Sequence, residues 1–191
     1  MLKHIQEKKQ IENNIFLEVD KKFWQVIEKE RSLFFLNKKE RKGKNMNIEQ
    51  LRYQLTIDEG KVNAIYLDHL DYPTCGIGHL ILESDGEYGA AVGTVVSEER
   101  CIELFDHDVK GVIADCKILH EGWDDYPEEV KQVVANMMFN MGRTRLSQFK
   151  NHNSALVEGD WKRAAFEGRD SRWYNQVTNR AERLMARLEA I

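Results

Sequence analysis

The chain has 191 residues, 42% of them hydrophobic and 31% charged, with only 2 prolines. That is enough for a folded domain with its own core, and it excludes a disordered or collagen-like chain. The net charge of −4 is unevenly divided: residues 1–45 carry 12 Lys+Arg against 7 Asp+Glu, and residues 46–191 carry 16 against 25.

Residues 1–45 predict one or two basic amphipathic helical stretches. Ile15, Phe16, Val19, Phe23, Trp24, Val26 and Ile27 recur at three-to-four spacing with Lys and Glu between them. "NKKERKGKN" reads as a linker, and Met46 follows at once. Two explanations stay open for this extension: a start codon chosen upstream in error, or a basic module that docks on a membrane surface, peptidoglycan or a virion partner.

From Asn47 to Glu59, Ile48, Leu51 and Leu55 suggest a helix. "AIYLDHL" and "PTCGIGHLILES" alternate between Gly, Pro and Asp breaks and predict short strands. "DGEYGAAVGT" is a glycine-rich loop. Ser97 offers an N-cap with Glu98 and Glu99 behind it, opening a long helix through Cys101, Leu104, Phe105, Val109 and Ile113. Helical patterns run from Glu128 to the end, with breaks expected near Gly122–Pro127, Gly142, His152–Ser154, Gly159 and Asp170. The predicted class is α+β: a small sheet-containing lobe, then a larger all-helical one, with a site expected in the cleft between them.

Cys75, Cys101 and Cys116 are odd in number and show no metal-knuckle or CxxC spacing, so free thiols in a reducing cytosol are expected. No apolar run approaches a membrane span, and the N-terminus lacks the apolar stretch of a secretory signal.

The segment "IDEGKVNAIYLDHLDYPTCGIGHL" (57–80) concentrates the chemistry. Cleaving a glycosidic bond needs a proton for the leaving oxygen and a carboxylate on the far side of the sugar. Glu59 at a helix end and Asp68 nine residues on could face each other across a cleft. Two carboxylates alone are weak evidence, since charged residues make up roughly a quarter of average chains.

The ordered motifs decide the reading. "DEG", "IYLD" and "TCGIGH" resemble the active-site segment of the lysozymes of T-even phages, with the same gaps. "ANMMFNMGRTRLSQF" (135–149) is similar to that family's central helix, "SRWYNQVTNRAERL" (171–184) to its C-terminal segment, and "MNIEQLR" to its N-terminus. The resemblance therefore covers about 46–191. It implies a lysozyme-like fold with lobe one about 46–97, a linking helix about 98–118 and a helical lobe about 119–191.

It also implies an inverting muramidase that hydrolyses the β-1,4 bond between N-acetylmuramic acid and N-acetylglucosamine. Glu59 would be the general acid, and Asp68 with Thr74 would position the attacking water. The carboxyls of such enzymes stand about 6.5–9.5 Å apart. Arg180 matches the arginine that pairs with the catalytic Glu, and His79 the histidine that pairs with an Asp on the long helix, here Asp108. Gly76 and Gly78 would let the backbone turn tightly beside the sugar. Leu80, Phe139, His152 and Glu167 align with saccharide-cleft positions, although His152 and Glu167 replace the usual Ser and Asn. Trp161, Trp173 and the Met137–Met138–Met141 cluster read as core, Cys75 as a small buried filler, and Asp58 and Asp71 as solvated neighbours.

No cofactor or metal is called for. The expected partner is peptidoglycan polysaccharide, with no nucleic acid and a monomeric enzyme. A holin would give access to the wall, the enzyme waiting in the host cytoplasm until lysis. The chain departs from the family in "QVTNR", in a shorter loop from Glu83 to Val96, and in ending about ten residues early. Two alternatives are a non-catalytic wall-binding protein on the same fold and a lytic transglycosylase. A dead module has no need to keep Glu59, Asp68 and Thr74 together, and a transglycosylase has no need of the Asp–Thr water site.

Overall fold

The computed structural model describes residues 46–191. The basic extension expected over 1–45 lies outside the described residues. Helix α1 (Ile48–Glu59) starts where the Asn47 side chain accepts from the Gln50 N–H at 3.1 Å. It buries Leu51 and Leu55 and stops at Gly60, whose φ of +78° suits a residue without Cβ.

Three short strands follow, β1 (Val62–Leu67), β2 (Pro73–Gly76) and β3 (His79–Leu80). They form an antiparallel sheet in sequence order, with Tyr66 opposite Thr74 and Thr74 opposite Leu80. The strands are shorter than the alternation suggests: β1 ends before Asp68, and "PTCGIGHL" folds into a hairpin turned at Ile77–Gly78. Gly76 and Gly78 have φ of +62° and +75°, so the turn needs glycine at both.

Helix α2 (Glu98–Leu119) begins with Ser97 Oγ accepting from Arg100 N–H at 3.1 Å, as its sequence predicts. Arg100 then forks onto Glu87, with Nε and Nη2 at 2.9 and 3.1 Å from the two oxygens. That fork ties the glycine-rich loop to the helix start. After a 3₁₀ turn (Trp123–Asp125) come α3 (Glu128–Leu146), α4 (Lys150–Glu158), α5 (Trp161–Arg169), α6 (Arg172–Gln176) and α7 (Thr178–Glu189). Helix α3 kinks at Gly142, where φ is +71°.

One expected break is displaced. His152–Ser154 lies inside α4, and the chain turns at Ser147–Phe149 instead. His152 is not a solvated turn residue: it is buried, and its Nδ1 lies 2.7 Å from the Ala164 carbonyl of α5.

Two apolar clusters hold these elements. A small one joins Ile65, Cys75, Ile81, Val96, Cys101 and Leu104, packing the sheet on α2. Cys75 is the buried filler expected there, and burial pushes its thiol up to about 11. The large cluster unites the helices around Val133, Val134, Met137, Met138, Leu156, Leu184 and Leu188. Each such side chain contributes about 1.5–3 kcal/mol by leaving water. Trp173 belongs to this core, and Trp161 and Met141 pack against it half-buried.

Helices α5 and α7 approach closely at Gly168. A Cβ there would stand 2.2 Å from Met185 Sδ, inside a residue with no exposure. Gly168→Ala is therefore expected to lower stability by about 1–3 kcal/mol in urea denaturation, by forcing Met185 to move. Among the described residues, no helix is long and apolar enough to cross a membrane.

Candidate active site

Glu59 is the last residue of α1, and its side chain is 27% exposed. Arg180 on α7 reaches it from across the chain, donating from Nη1 to Oε1 at 2.5 Å. The guanidinium is itself held. Its Nε donates to Asn136 Oδ1 at 2.9 Å, and its Nη2 donates to the Asn136 carbonyl at 3.1 Å. Asn136 is fully buried on α3 and donates from Nδ2 to Asp58 Oδ2 at 2.9 Å. Arg183, one turn along α7 from Arg180, pairs with the other Asp58 oxygen.

Asp58 is thus no solvated neighbour. Its side chain is 3% exposed and is the floor of a four-residue network under Glu59. Asn136 and Arg183 were not singled out from the sequence. A lone Asn inside "VVANMM" was a signal, since a polar group among apolar neighbours on a buried helix needs a partner.

Asp68 stands just past the end of β1. Its Oδ1 accepts from the Leu70 and Tyr72 N–H groups at 2.8 and 2.9 Å. The Tyr72 N–H in particular holds the Asp68 carboxyl below its ordinary range, against a smaller opposing effect of desolvation. The carboxylate is therefore ionised near neutral pH. The turn closes with Asp68 N–H on the Tyr72 carbonyl at 3.0 Å, and Asp71 takes its left-handed position with φ of +62°. Asp71 is exposed, as expected.

Thr74 sits on the central strand, nearly buried, and its Oγ1 donates to the Tyr72 carbonyl at 3.0 Å. Tyr72 thus joins the pair: its N–H binds Asp68, and its carbonyl binds Thr74. Tyr66, opposite Thr74 in the sheet, senses the whole group. Burial raises its phenol first, and the charges of Cys75, Asp68 and Glu59 add to the rise.

A groove of about 420 Å³ opens at Glu59, walled by Asp58, Asn140, Gln176, Val177 and Arg180 among others. It adjoins a larger one of about 930 Å³ that shares Asn140, Gln176 and Val177. The larger groove is lined by Glu167, Asp170 and the buried His152, and by neither Glu59 nor Asp68. Glu59 lines the smaller groove and not the larger one. Glu167 accepts from Asn151 Nδ2 at 3.1 Å. Leu80 is exposed on β3, whereas Phe139 is half-buried and tilted against Phe105 at 6.0 Å between ring centroids. Asp68, Thr74, Leu80 and Phe139 line neither groove.

His79 is buried and pairs with Asp108 through Nδ1 at 2.8 Å, the partner the sequence resemblance implied. Its Nε2 lies 3.2 Å from Asp85, a second carboxylate not foreseen. The Asp108 hydrogen bond, outweighing desolvation, lifts His79 above its usual range. A raised folded-state value means that stability is fully present below about pH 6.5 and is lost as pH rises through that raised value. His79→Asn is therefore expected to cost about 1.5–3 kcal/mol at pH 5.5, from two charge-assisted hydrogen bonds, and less at pH 8. Urea midpoints at the two pH values check this.

Among the described residues, no group of three or more His, Cys, Asp or Glu could hold a metal ion. The candidate residues supply carboxylates, a guanidinium and a hydroxyl, the kinds of group that transfer protons and hold water.

A family model described as Phage lysozyme matches residues 57–190. The chain is 30% identical over 158 residues to the pre-baseplate central spike protein Gp5 of Enterobacteria phage T4, covering 73% of this chain and 27% of that protein. It thus spans about a quarter of that relative. It is 29% identical over 162 residues to the probable T4-type lysozyme 2 of Dictyostelium discoideum, covering 74% of this chain and 95% of the relative. Peptidoglycan hydrolase gp36 of Pseudomonas phage phiKMV is 30% identical over 139 residues, 72% of this chain and 15% of that protein. The family match contains the helix end with Glu59, the turn with Asp68 and the helix with Arg180, and it extends over well more than half of the sequence: the chain belongs to the phage lysozyme family.

Proposed function

We propose that this protein hydrolyses the β-1,4 bond between N-acetylmuramic acid and N-acetylglucosamine in peptidoglycan, with inversion. The observation that carries the reading is the contrast between the two carboxylates. Glu59 is half-buried against one guanidinium, whereas Asp68 is kept ionised by backbone N–H groups. Glu59 in the acid's role and Asp68 in the base's would give the division of labour an inverting glycosidase needs.

In this mechanism Glu59 protonates the leaving oxygen, with its carboxyl orientation set by Arg180. Asp68 accepts a proton from water on the opposite face of the sugar. Thr74, whose hydroxyl hydrogen is committed to the Tyr72 carbonyl, offers its oxygen lone pairs to the same water. Leu80, Phe139 and Glu167 are proposed to contact the saccharide. His152 contributes through packing, since its ring is enclosed. The enzyme acts as a monomer, without cofactor, on the cell wall, and reaches the wall from the host cytoplasm through a holin-dependent route.

The test is the clearing of permeabilised Gram-negative cells by the purified chain. Turbidity is expected to fall, together with release of soluble glycan fragments from purified sacculi. Binding to sacculi without release would instead support a wall-binding module.

A further inference from the structure

Two histidines stand inside the helical core, and the proposed reaction uses neither as an acid or base. His120 caps the C-terminus of α2 with 0% exposure, and His152 on α4 has 1%. Trp123, Tyr126, Ala155, Leu156 and Ala164, which neighbour them along the chain or in contact, belong to the large buried cluster, and His152 also borders the larger groove. The Tyr126 ring lies 5.8 Å from the His120 ring, and the Phe149 ring 6.3 Å from that of His152.

The hydrogen bonding is lopsided. Among the described residues, His152 has one partner, the Ala164 carbonyl at Nδ1, while its Nε2, both nitrogens of His120 and the Tyr126 hydroxyl are buried with none. The Ala164 carbonyl can only accept, so Nδ1 carries the proton and Nε2 of the neutral ring is a bare acceptor. A second proton would create an N–H with nothing to receive it and a charge with little to offset it. Such burial costs far more for an ion than for a neutral group.

The charged groups near the pair do not rescue it: Arg145, Lys150, Asp170 and Arg172 line the groove that His152 borders, three of them cations that disfavour a second positive charge. Glu167 on α5 is the carboxylate acting on His152, and it is engaged by Asn151. Lys117 pairs with Asp124, Arg163 pairs with Glu158, and Lys131 donates to the Asp124 carbonyl. The C-terminal dipole of α2 favours a cation at His120, but His152 opposes it with like charge.

We infer that His120 and His152 form an acid-sensitive latch: neutral, the two rings pack in the core where α2 ends and where His152 joins α4 to α5, and protonation loosens that corner of the helical core. Burial, with His152 adding, pushes His120 down to about 4. Burial also lowers His152, despite the Ala164 carbonyl and Glu167. An unfolded histidine titrates near 6.5, so the unfolded chain binds more protons as pH falls from about 6.5 to about 4. Stability is then full above this window and declines within it, opposite in sign to the contribution of His79. The latch does not depend on the peptidoglycan reading.

The experiment is urea unfolding of the full chain at pH 7.5 and 4.5, for the wild type and a His120→Phe/His152→Leu double variant. The pH-dependent rise in the wild-type unfolding constant is expected to exceed that of the double variant by about tenfold or more. An equal rise in both would overturn the latch. Should the double variant fail to fold, NMR titration of the wild-type imidazoles decides. Midpoints for His120 and His152 below pH 5.5 support the latch, and midpoints at or above 6.5 overturn it.

Discussion

Glu59→Gln is expected to reduce the clearing rate by about 10³-fold, within the 10²–10⁴ range that a positioned general acid supplies. The amide is nearly isosteric and keeps an oxygen for Arg180 Nη1, which sits 2.5 Å from Oε1. What it lacks is a proton to give. Stability should change little, because the Glu59 side chain is 27% exposed and Arg180 keeps its bonds to Asn136. Circular dichroism and thermal melts check that the loss is chemical. Clearing at the wild-type rate would remove Glu59 from the acid's role.

Arg180→Met has the largest expected effect on the fold. Its guanidinium donates to Asn136 twice and to Glu59 once, and its Nε lies 3.5 Å from Asp58. Methionine fills much of the volume but leaves Asn136 Oδ1 without its donor, and leaves Asp58, 3% exposed, with only Asn136 and Arg183. Breaking a buried ion pair on one side costs about 3–5 kcal/mol. Urea denaturation should show a lower midpoint at unchanged slope. Arg180→Lys should recover little, because a point charge cannot bridge Asn136 and Glu59 with a planar fork. Arg183→Met should cost less, since that arginine is 43% exposed.

The local elements that carry the candidate residues were legible because they lie close in sequence. A helix ends at Glu59, a strand ends before Asp68, and the next strand carries Thr74, all within one short segment. Cap residues, glycine turns and alternation announce such elements. Asp58 was misread for the opposite reason. Its partners lie 78 residues away at Asn136 and 125 at Arg183, and no local pattern shows which face of α1 will meet α3 and α7. The same holds for His152. Beside Asn153 and Ser154 it reads as a polar break, and only the packing of α4 on α5 brings the Ala164 carbonyl to its ring. Asp85 beside His79 was hidden in a loop whose course depends on Arg100 of α2. Side-chain pairs made across the chain were not predictable from periodicity, whereas helix starts and stops largely were.

The division of labour between Glu59 and Asp68–Thr74 is tested most directly by the products formed from purified peptidoglycan. Mass spectrometry with ¹⁸O-labelled water, joined to early NMR of the new chain ends, reads both the bond cut and the face attacked. The expected result is N-acetylmuramic acid reducing ends that carry one solvent oxygen and appear first as the α-anomer. Ends in the 1,6-anhydro form, without solvent oxygen, would contradict a water held by Asp68 and Thr74.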